Sequence, residues 1–189
     1  MEAGRVLRNG AGESLLDTYE AERRPIATEM ITLAIGYLKA MKEGNRQRGR
    51  DVQQLDLGYP ESSLSLHHPS REGKIGARNR APDAPCKHKG GESTTLFHIY
   101  RGPHWTLLSC GDASIKVEGK GLRSYHVSLG EEDPAADLVD DAGHIRSAYH
   151  LKGDEFILIR PDGHIATILP AGEAETLKAQ LHTWNVLVV

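Results

Sequence analysis

Two apolar runs flank a tight turn in the segment Phe156-Ile157-Leu158-Ile159-Arg160-Pro161-Asp162-Gly163-His164-Ile165-Ala166-Thr167-Ile168-Leu169. Each run is rich in β-branched residues and has the length of a short buried strand. The Pro-Asp-Gly sequence between the runs is typical of a turn that reverses the chain. The segment therefore predicts a β-hairpin, and its first strand is the clearest strand in the chain.

Four further segments accompany this hairpin. Trp105–Cys110 and Tyr125–Leu129 have the composition of short buried strands. Asp133-Pro134 combines an N-cap residue with a proline suited to the first helical turn, which predicts a helix running to about Tyr149. Glu173–Trp184 predicts a final helix. This order is that of a thioredoxin-like α/β domain with a mixed central sheet, because the hairpin adds an antiparallel pair to parallel strands.

A long helix is predicted ahead of this domain, from Glu13 to about Gly44. Its apolar side chains recur with roughly helical spacing, at Leu15, Leu16, Tyr19, Ile26, Met30, Leu33, Ile35, Tyr37, Leu38 and Met41. Pro25 interrupts the pattern and should kink the helix or split it in two. An apolar stripe of this length needs a surface to pack on, so we expect the helix to have a partner.

The region from Gly44 to Pro85 has a different character, with several glycines and prolines and little periodicity. Its basic cluster of Arg46, Arg48 and Arg50 is typical of a solvated face. We therefore divide the chain into a helical tail at residues 1–44, a linker at 45–75 and a thioredoxin-like domain at 76–189. The predicted fold class is α/β, a mixed-sheet domain preceded by a long helical segment and an irregular linker.

Composition argues against several classes of partner. The net charge is -3 and the basic residues are not concentrated in one half, which argues against nucleic acid. No apolar run approaches the roughly 18 residues of a membrane span, and the first residues lack the apolar core of a signal peptide. Two cysteines are too few for a disulfide framework. We expect a cytoplasmic protein with no nucleic-acid or membrane partner.

The two cysteines do not form a redox motif. Dithiol chemistry needs two thiols close together, usually as Cys-x-x-Cys at a helix N-terminus. Cys110 follows the first strong strand, but Gly111, Asp112 and Ala113 come after it, and Cys86 lies 24 residues earlier. We expect both cysteines to be inert. Trp105 and Trp184 are expected to anchor the core rather than form a ligand cage.

Other candidate sites were weighed against simpler interpretations. Cys86-x-His88 and His67-His68 are the tightest groupings of metal-binding residue types, but neither has the ligand spacing of a structural zinc site. Asp140 and His144 lie four residues apart on the predicted helix, where they could form a carboxylate-oriented base or, as we favour, a surface pair. We therefore name no catalytic, cofactor-binding or metal-binding residue.

Four segments, taken together and in order, resemble one enzyme family. They are Leu15–Ala27, Leu57–Tyr59 with Ser62-Ser63, Gly76–Pro85 and Phe156–Ala166. In that order, they are similar to four features of the family: the segment that closes its flavin-binding part, the link that follows this part, the start of the last domain and the hairpin of that domain. The family is the phenol hydroxylase-like class A flavoprotein monooxygenases, the FAD-dependent aromatic hydroxylases.

The resemblance implies that the chain is the C-terminal region of such an enzyme, which uses FAD and NAD(P)H to hydroxylate an activated aromatic ring through a flavin hydroperoxide. It implies that residues 1–44 are the helical tail of the FAD-binding domain and that the missing remainder of that domain is the partner. The family's Gly-x-Gly-x-x-Gly fingerprint is absent from the sequence. We therefore expect this chain to bind no cofactor alone and to be structural rather than catalytic.

Another hypothesis concerns the chain on its own. It could be a stand-alone interaction module, a thioredoxin-like domain without redox cysteines, that forms a homodimer through its long helix. A third and weaker hypothesis is a thioredoxin-like reductase.

Overall fold

The computed structural model describes residues 14–44, 58–59, 62–72, 74–119, 121–130 and 133–187. The chain separates into two units, one ending at Ser63 and the other beginning at Leu64. This division falls inside the predicted linker, whose boundaries at residues 45 and 75 stay a prediction. The basic cluster of Arg46, Arg48 and Arg50 lies outside the described residues.

The first unit contains one long helix, α1 (Ser14–Lys42), which continues through Pro25 instead of splitting there. One row of its side chains is partly buried, including Ile26, Met30, Leu33 and Tyr37. A second row, which we call the exposed apolar row, consists of Ile31, Ile35, Leu38 and Met41, each between 50% and 62% exposed. The helix therefore presents an apolar surface that the described residues leave uncovered.

The second unit is built on one mixed sheet of seven strands, in the order β2-β1-β5-β4-β3-β6-β7. The strands are β1 (Pro85–His88), β2 (Ser93–Thr95), β3 (Trp105–Cys110), β4 (Leu122–Ser128), β5 (Leu138–Val139), β6 (Glu155–Ile159) and β7 (Ile165–Pro170). Strands β3, β4 and β5 run parallel to one another. The predicted hairpin is β6 and β7, which pair antiparallel. The predicted α/β class with a mixed sheet is confirmed.

Helices cover both faces of the sheet. They are α2 (Leu96–Tyr100), α3 (His144–Ala148) and α4 (Ala174–Thr183). Successive side chains of β3 point to opposite faces of the sheet, so Trp105 and Leu108 lie on different faces. Leu108 belongs to the same buried cluster as Ile145 of α3. Trp105 instead stacks on Trp184, just after α4. The domain is therefore a three-layer α/β/α arrangement.

The helix predicted from Asp133 to Tyr149 was wrong. Asp133 makes a turn instead, in which its Oδ1 accepts a hydrogen bond from the Ala135 N–H. The chain then forms β5, which lies between β1 and β4, and only His144–Ala148 is helical. Leu138 is fully buried in this strand. Sheet pairing and burial of Leu138 thus override the local helix signal of the Asp-Pro pair.

A segment at residues 66–81 covers the outer edge of β7. Leu66 N–H donates to the Ala166 carbonyl (2.8 Å), Arg78 N–H to the Ile165 carbonyl (2.9 Å), and Ala81 N–H to the Gly163 carbonyl (2.8 Å). Unpaired strand edges are templates for unwanted pairing with other chains. The segment therefore protects this edge, although much of it carries the composition of a linker.

Gly119 should tolerate no side chain. A Cβ placed there would lie 2.3 Å from the Val186 carbonyl oxygen, and a backbone atom cannot easily move away. We expect Gly119→Ala to destabilise the domain by about 1–3 kcal/mol in urea denaturation. Gly90→Ala is the matched control, since no heavy atom lies within 4 Å of its Cβ position. Equal stability of the two variants would contradict this close packing.

Candidate functional site

Both cysteines are buried and free. Cys110 ends β3 and is fully buried, and this burial raises the pKa of its thiol far above the ordinary value. Burial likewise raises the pKa of the Cys86 thiol to about 11. Strands β1 and β3 are separated by two others, so the thiols lie roughly 14 Å apart at the usual strand spacing. A disulfide needs a much closer approach, and neither thiol can readily form the reactive thiolate.

The loop after β3 also differs from a redox site. Gly111 follows Cys110 with a positive φ of 66°, and the described residues between Gly111 and β4 include no helix. A low thiol pKa in such domains depends on a helix N-terminus beside the cysteine. The geometry therefore gives no support to thiol chemistry at this position.

Asp140 and His144 do not form a catalytic pair, and the favoured prediction of a surface pair on one helix was also wrong. Asp140 is buried and precedes α3, where its two carboxylate oxygens accept hydrogen bonds from the backbone N–H groups of Ile145 (3.0 Å) and Arg146 (2.9 Å). His144 is exposed at the first position of the helix. Asp140 therefore satisfies two N–H groups of the first turn of α3, although the N-cap position itself is Gly143.

The histidines do not form a metal cluster within the described residues. His68 instead lies 2.8 Å from Glu173, linking the segment at residues 66–81 to the turn before α4. We find no helix among the described residues that is both long and apolar enough for a membrane span.

A crevice of about 390 Å³ lies at the carboxyl ends of β3 and β4. Asp112, Asp133 and Asp154 contribute to its lining. The Asp133 carboxylate is already engaged, since Oδ2 lies 2.8 Å from His126 Nε2 and Oδ1 accepts from the Ala135 N–H. Arg146 also lines the crevice, and its NH2 donates to the Leu129 carbonyl (3.2 Å). The lining contains no cysteine, so the crevice offers no thiol for redox chemistry.

The turn of the β6–β7 hairpin holds a buried charged cluster. Asp162 Oδ2 lies 2.7 Å from Arg160 NH2, and Asp162 Oδ1 lies 3.3 Å from His164 Nδ1. Burial alone would raise the pKa of Asp162, but the hydrogen bond from His164 and the charge of Arg160 outweigh it and lower the pKa to about 2. The cluster fixes the turn and leaves little of the carboxylate accessible to a ligand.

This cluster predicts an acid-sensitive contribution to stability. The folded pKa of Asp162 lies below the ordinary value of 3.8. Its stabilisation is therefore complete above about pH 4 and lost as the pH falls through about 2. We expect Asp162→Asn to reduce the free energy of unfolding by about 2 kcal/mol at pH 6. The difference in free energy of unfolding between the variant and the parent chain should become smaller near pH 2. A difference of constant size in urea titrations across this range would contradict the assignment.

Comparison with known proteins gives relatives of one kind, although no family model matches the chain. A flavin-dependent monooxygenase of Mycobacteroides abscessus is 28% identical over 163 residues, which cover 86% of this chain and 30% of the relative. Anhydrotetracycline monooxygenase of Streptomyces rimosus is 29% identical over 194 residues, covering 96% of this chain and 36% of the relative. The chain spans about a third of the length of these relatives.

Two solved structures share the fold. The flavin-dependent monooxygenase PieE, solved with FAD and substrate, matches with a TM-score of 0.72 at 14% identity, over 97% of this chain and 42% of that one. Aklavinone-11 hydroxylase, solved with FAD and aklavinone, matches with a TM-score of 0.68 at 24% identity, over 97% of this chain and 37% of that one. The resemblance seen in the four sequence segments is thereby confirmed, and the chain is a relative, over most of its length, of the FAD-dependent aromatic hydroxylases.

Proposed function

We propose that this chain is the C-terminal structural and assembly portion of a FAD- and NAD(P)H-dependent aromatic-ring monooxygenase and is not catalytic alone. One observation carries the proposal: the chain matches its relatives over 86% to 96% of its own length but over only 30% to 36% of theirs. About two thirds of such an enzyme would therefore be supplied by residues other than these. In this proposal the enzyme is cytoplasmic and has no nucleic-acid or membrane partner.

The cofactors would be bound by that remainder. A dinucleotide pyrophosphate is usually held by a glycine-rich turn at a helix N-terminus, and this sequence has no Gly-x-Gly-x-x-Gly fingerprint. In our proposal FAD and NAD(P)H belong to the whole enzyme, and this chain binds neither alone.

The partner would be the FAD-binding domain, and its contact surface would be α1. The exposed apolar row of Ile31, Ile35, Leu38 and Met41 lies along one side of this helix. Apolar surface of this kind marks an interaction site when its members are contiguous. Packing on the remainder of the enzyme would remove the row from water.

Activity and flavin binding test the proposal directly. The purified 189-residue chain is mixed with FAD and NADPH, and oxygen consumption and flavin fluorescence are followed. We expect no NADPH-dependent oxygen consumption beyond that of free FAD and no change in flavin fluorescence. A complete flavin-dependent aromatic monooxygenase serves as the positive control. Measurable turnover by the chain would contradict a non-catalytic role.

The same apolar row supports a second candidate function, a stand-alone module that forms a homodimer. Sedimentation velocity of the purified chain tests it. This candidate requires a dimer that Ile35→Glu converts to monomer, whereas Glu29→Gln, an exposed change elsewhere on α1, leaves the dimer intact. A parent chain that sediments only as a monomer rules this candidate out.

An insulin-reduction assay tests the third hypothesis, a thioredoxin-like reductase. We expect no reduction of insulin, because both thiols are buried.

A further inference from the structure

A second cavity lies away from the acidic crevice, between α2 and the turn of the β6–β7 hairpin. Its volume is about 360 Å³, which is within the range of small-molecule sites. Arg80 and Arg101 line it together with Phe97, Tyr100, Asp162 and Gly163. All of these residues belong to the second unit.

The cleft carries positive charge that is not neutralised locally. Arg80 and Arg101 are exposed, and within the described part of the chain neither guanidinium forms an ion pair. The carboxylate of Asp162 is paired with Arg160 and His164. Because the whole chain has a net charge of -3, two free arginines around one cleft are not a consequence of a basic composition. Free guanidinium groups are suited to bind a carboxylate through paired hydrogen bonds.

An aromatic wall stands beside these cations. Phe97 is 48% exposed, and its ring meets the Tyr100 ring edge to face at a centroid distance of 5.4 Å. Tyr100 is held in turn by a hydrogen bond from its hydroxyl to the Ala81 carbonyl (3.0 Å). Burial raises the pKa of the Tyr100 hydroxyl well above its ordinary value, so this wall stays uncharged. Phe97 therefore presents a half-exposed ring in the lining of the cleft.

A neighbouring carboxylate does not oppose this arrangement. The Asp83 Oδ1 atom accepts hydrogen bonds from the backbone N–H groups of Ala84 (3.0 Å) and Phe97 (2.9 Å). These bonds hold the carboxylate at the start of α2, and Asp83 is not among the residues that line the cleft. The groups left to meet a ligand are the two guanidiniums and the Phe97 ring.

We propose that this cleft binds a small planar aromatic carboxylate. The carboxylate would be held between Arg80 and Arg101, and the ring would stack on Phe97. The cleft is a binding site and not a catalytic one, since Asp162, the carboxylate in its lining, is already paired with Arg160 and His164. This inference does not depend on the proposed function, because it rests only on the residues that surround the cleft.

Titration of the ¹⁵N-labelled full chain with benzoate tests the site. We expect saturable shifts in the amide signals of Phe97, Arg101 and Gly163, and no comparable response to benzamide, the neutral isostere. Acetate should bind at least about fivefold more weakly than benzoate, because it lacks the ring. Arg80→Gln and Arg101→Gln should each weaken benzoate binding at least about fivefold. Arg123→Gln is the control, an exposed cation outside the cleft whose loss should not alter binding.

Two results would overturn the proposal. A response to benzamide equal to that to benzoate would show that the arginines do not recognise charge. Acetate binding as tight as benzoate binding would show that the site recognises any carboxylate, such as an acidic side chain of another protein, and not an aromatic acid. The spectrum of each variant away from the cleft reports whether it remains folded.

Discussion

Arg71→Met is expected to destabilise the second unit by about 3–5 kcal/mol, because it leaves a buried carboxylate without its partner. Arg71 NH2 lies 2.6 Å from Glu155 Oε2, and both side chains are almost fully buried. Arg71 NH1 also donates to the carbonyls of Tyr149 (2.8 Å) and His150 (3.1 Å). One side chain thus joins the segment at residues 66–81 to β6 and to the end of α3. Urea denaturation of parent and variant measures the loss.

The double variant Arg71→Met, Glu155→Gln separates two causes of destabilisation. It removes the cost of the unpaired Glu155 charge but keeps the loss of the other Arg71 contacts. Glutamine removes the buried charge but keeps an acceptor for the Lys152 N–H, which donates to Glu155 Oε2 (3.0 Å). We expect the double variant to regain more than half of the stability lost in Arg71→Met. A loss below about 1 kcal/mol in Arg71→Met would place the pair among weak solvated ion pairs and contradict this account.

Trp184→Ala is expected to cost about 3–5 kcal/mol, the usual range for removing a buried aromatic side chain. The Trp184 ring stacks on Trp105 with a centroid distance of 5.7 Å and an interplanar angle of 14°. Both rings are buried, as the sequence predicted for core anchors. The stack attaches the end of α4 to β3, so its loss exposes one face of the sheet.

His182→Ala, in the last turn of α4, is the matched control, since His182 is exposed and its loss should change stability by less than about 0.5 kcal/mol. Thermal unfolding followed by far-ultraviolet circular dichroism, which reports helix content, measures both variants. An unchanged Tm in Trp184→Ala, with loss of helix signal alone, would mean that α4 is not part of the cooperative core.

The elements that sequence predicted correctly are those with complete local signals. The β6–β7 hairpin has two β-branched runs and a Pro-Asp-Gly turn, and four of the six residues of β3 are apolar. The hairpin of β1 and β2 was missed because β1 contains Lys87 and His88, which are atypical of a buried strand. Gly90-Gly91, between the two strands, was the turn signal that could have revealed it.

The features that the sequence did not predict depend on contacts between residues far apart in the chain. Arg71 and Glu155 are separated by 84 positions in sequence, and no local pattern indicates that they meet. Likewise, the cleft of Arg80, Phe97 and Arg101 forms only when α2 packs beside the hairpin turn. Phe97 and Arg101 do lie four residues apart, the spacing that places two side chains on one side of a helical turn. That spacing was a usable signal, but nothing in the sequence connected it to Arg80.

Immunoblotting of the native source cells with an antibody raised against this chain tests the central claim most directly. We predict a band well above the 20.7 kDa of this chain, and we predict that protein captured by the antibody releases FAD on denaturation. Together, a larger band and released FAD would show that this chain is one portion of a larger flavoenzyme. A single band at 20.7 kDa without bound flavin would contradict the account.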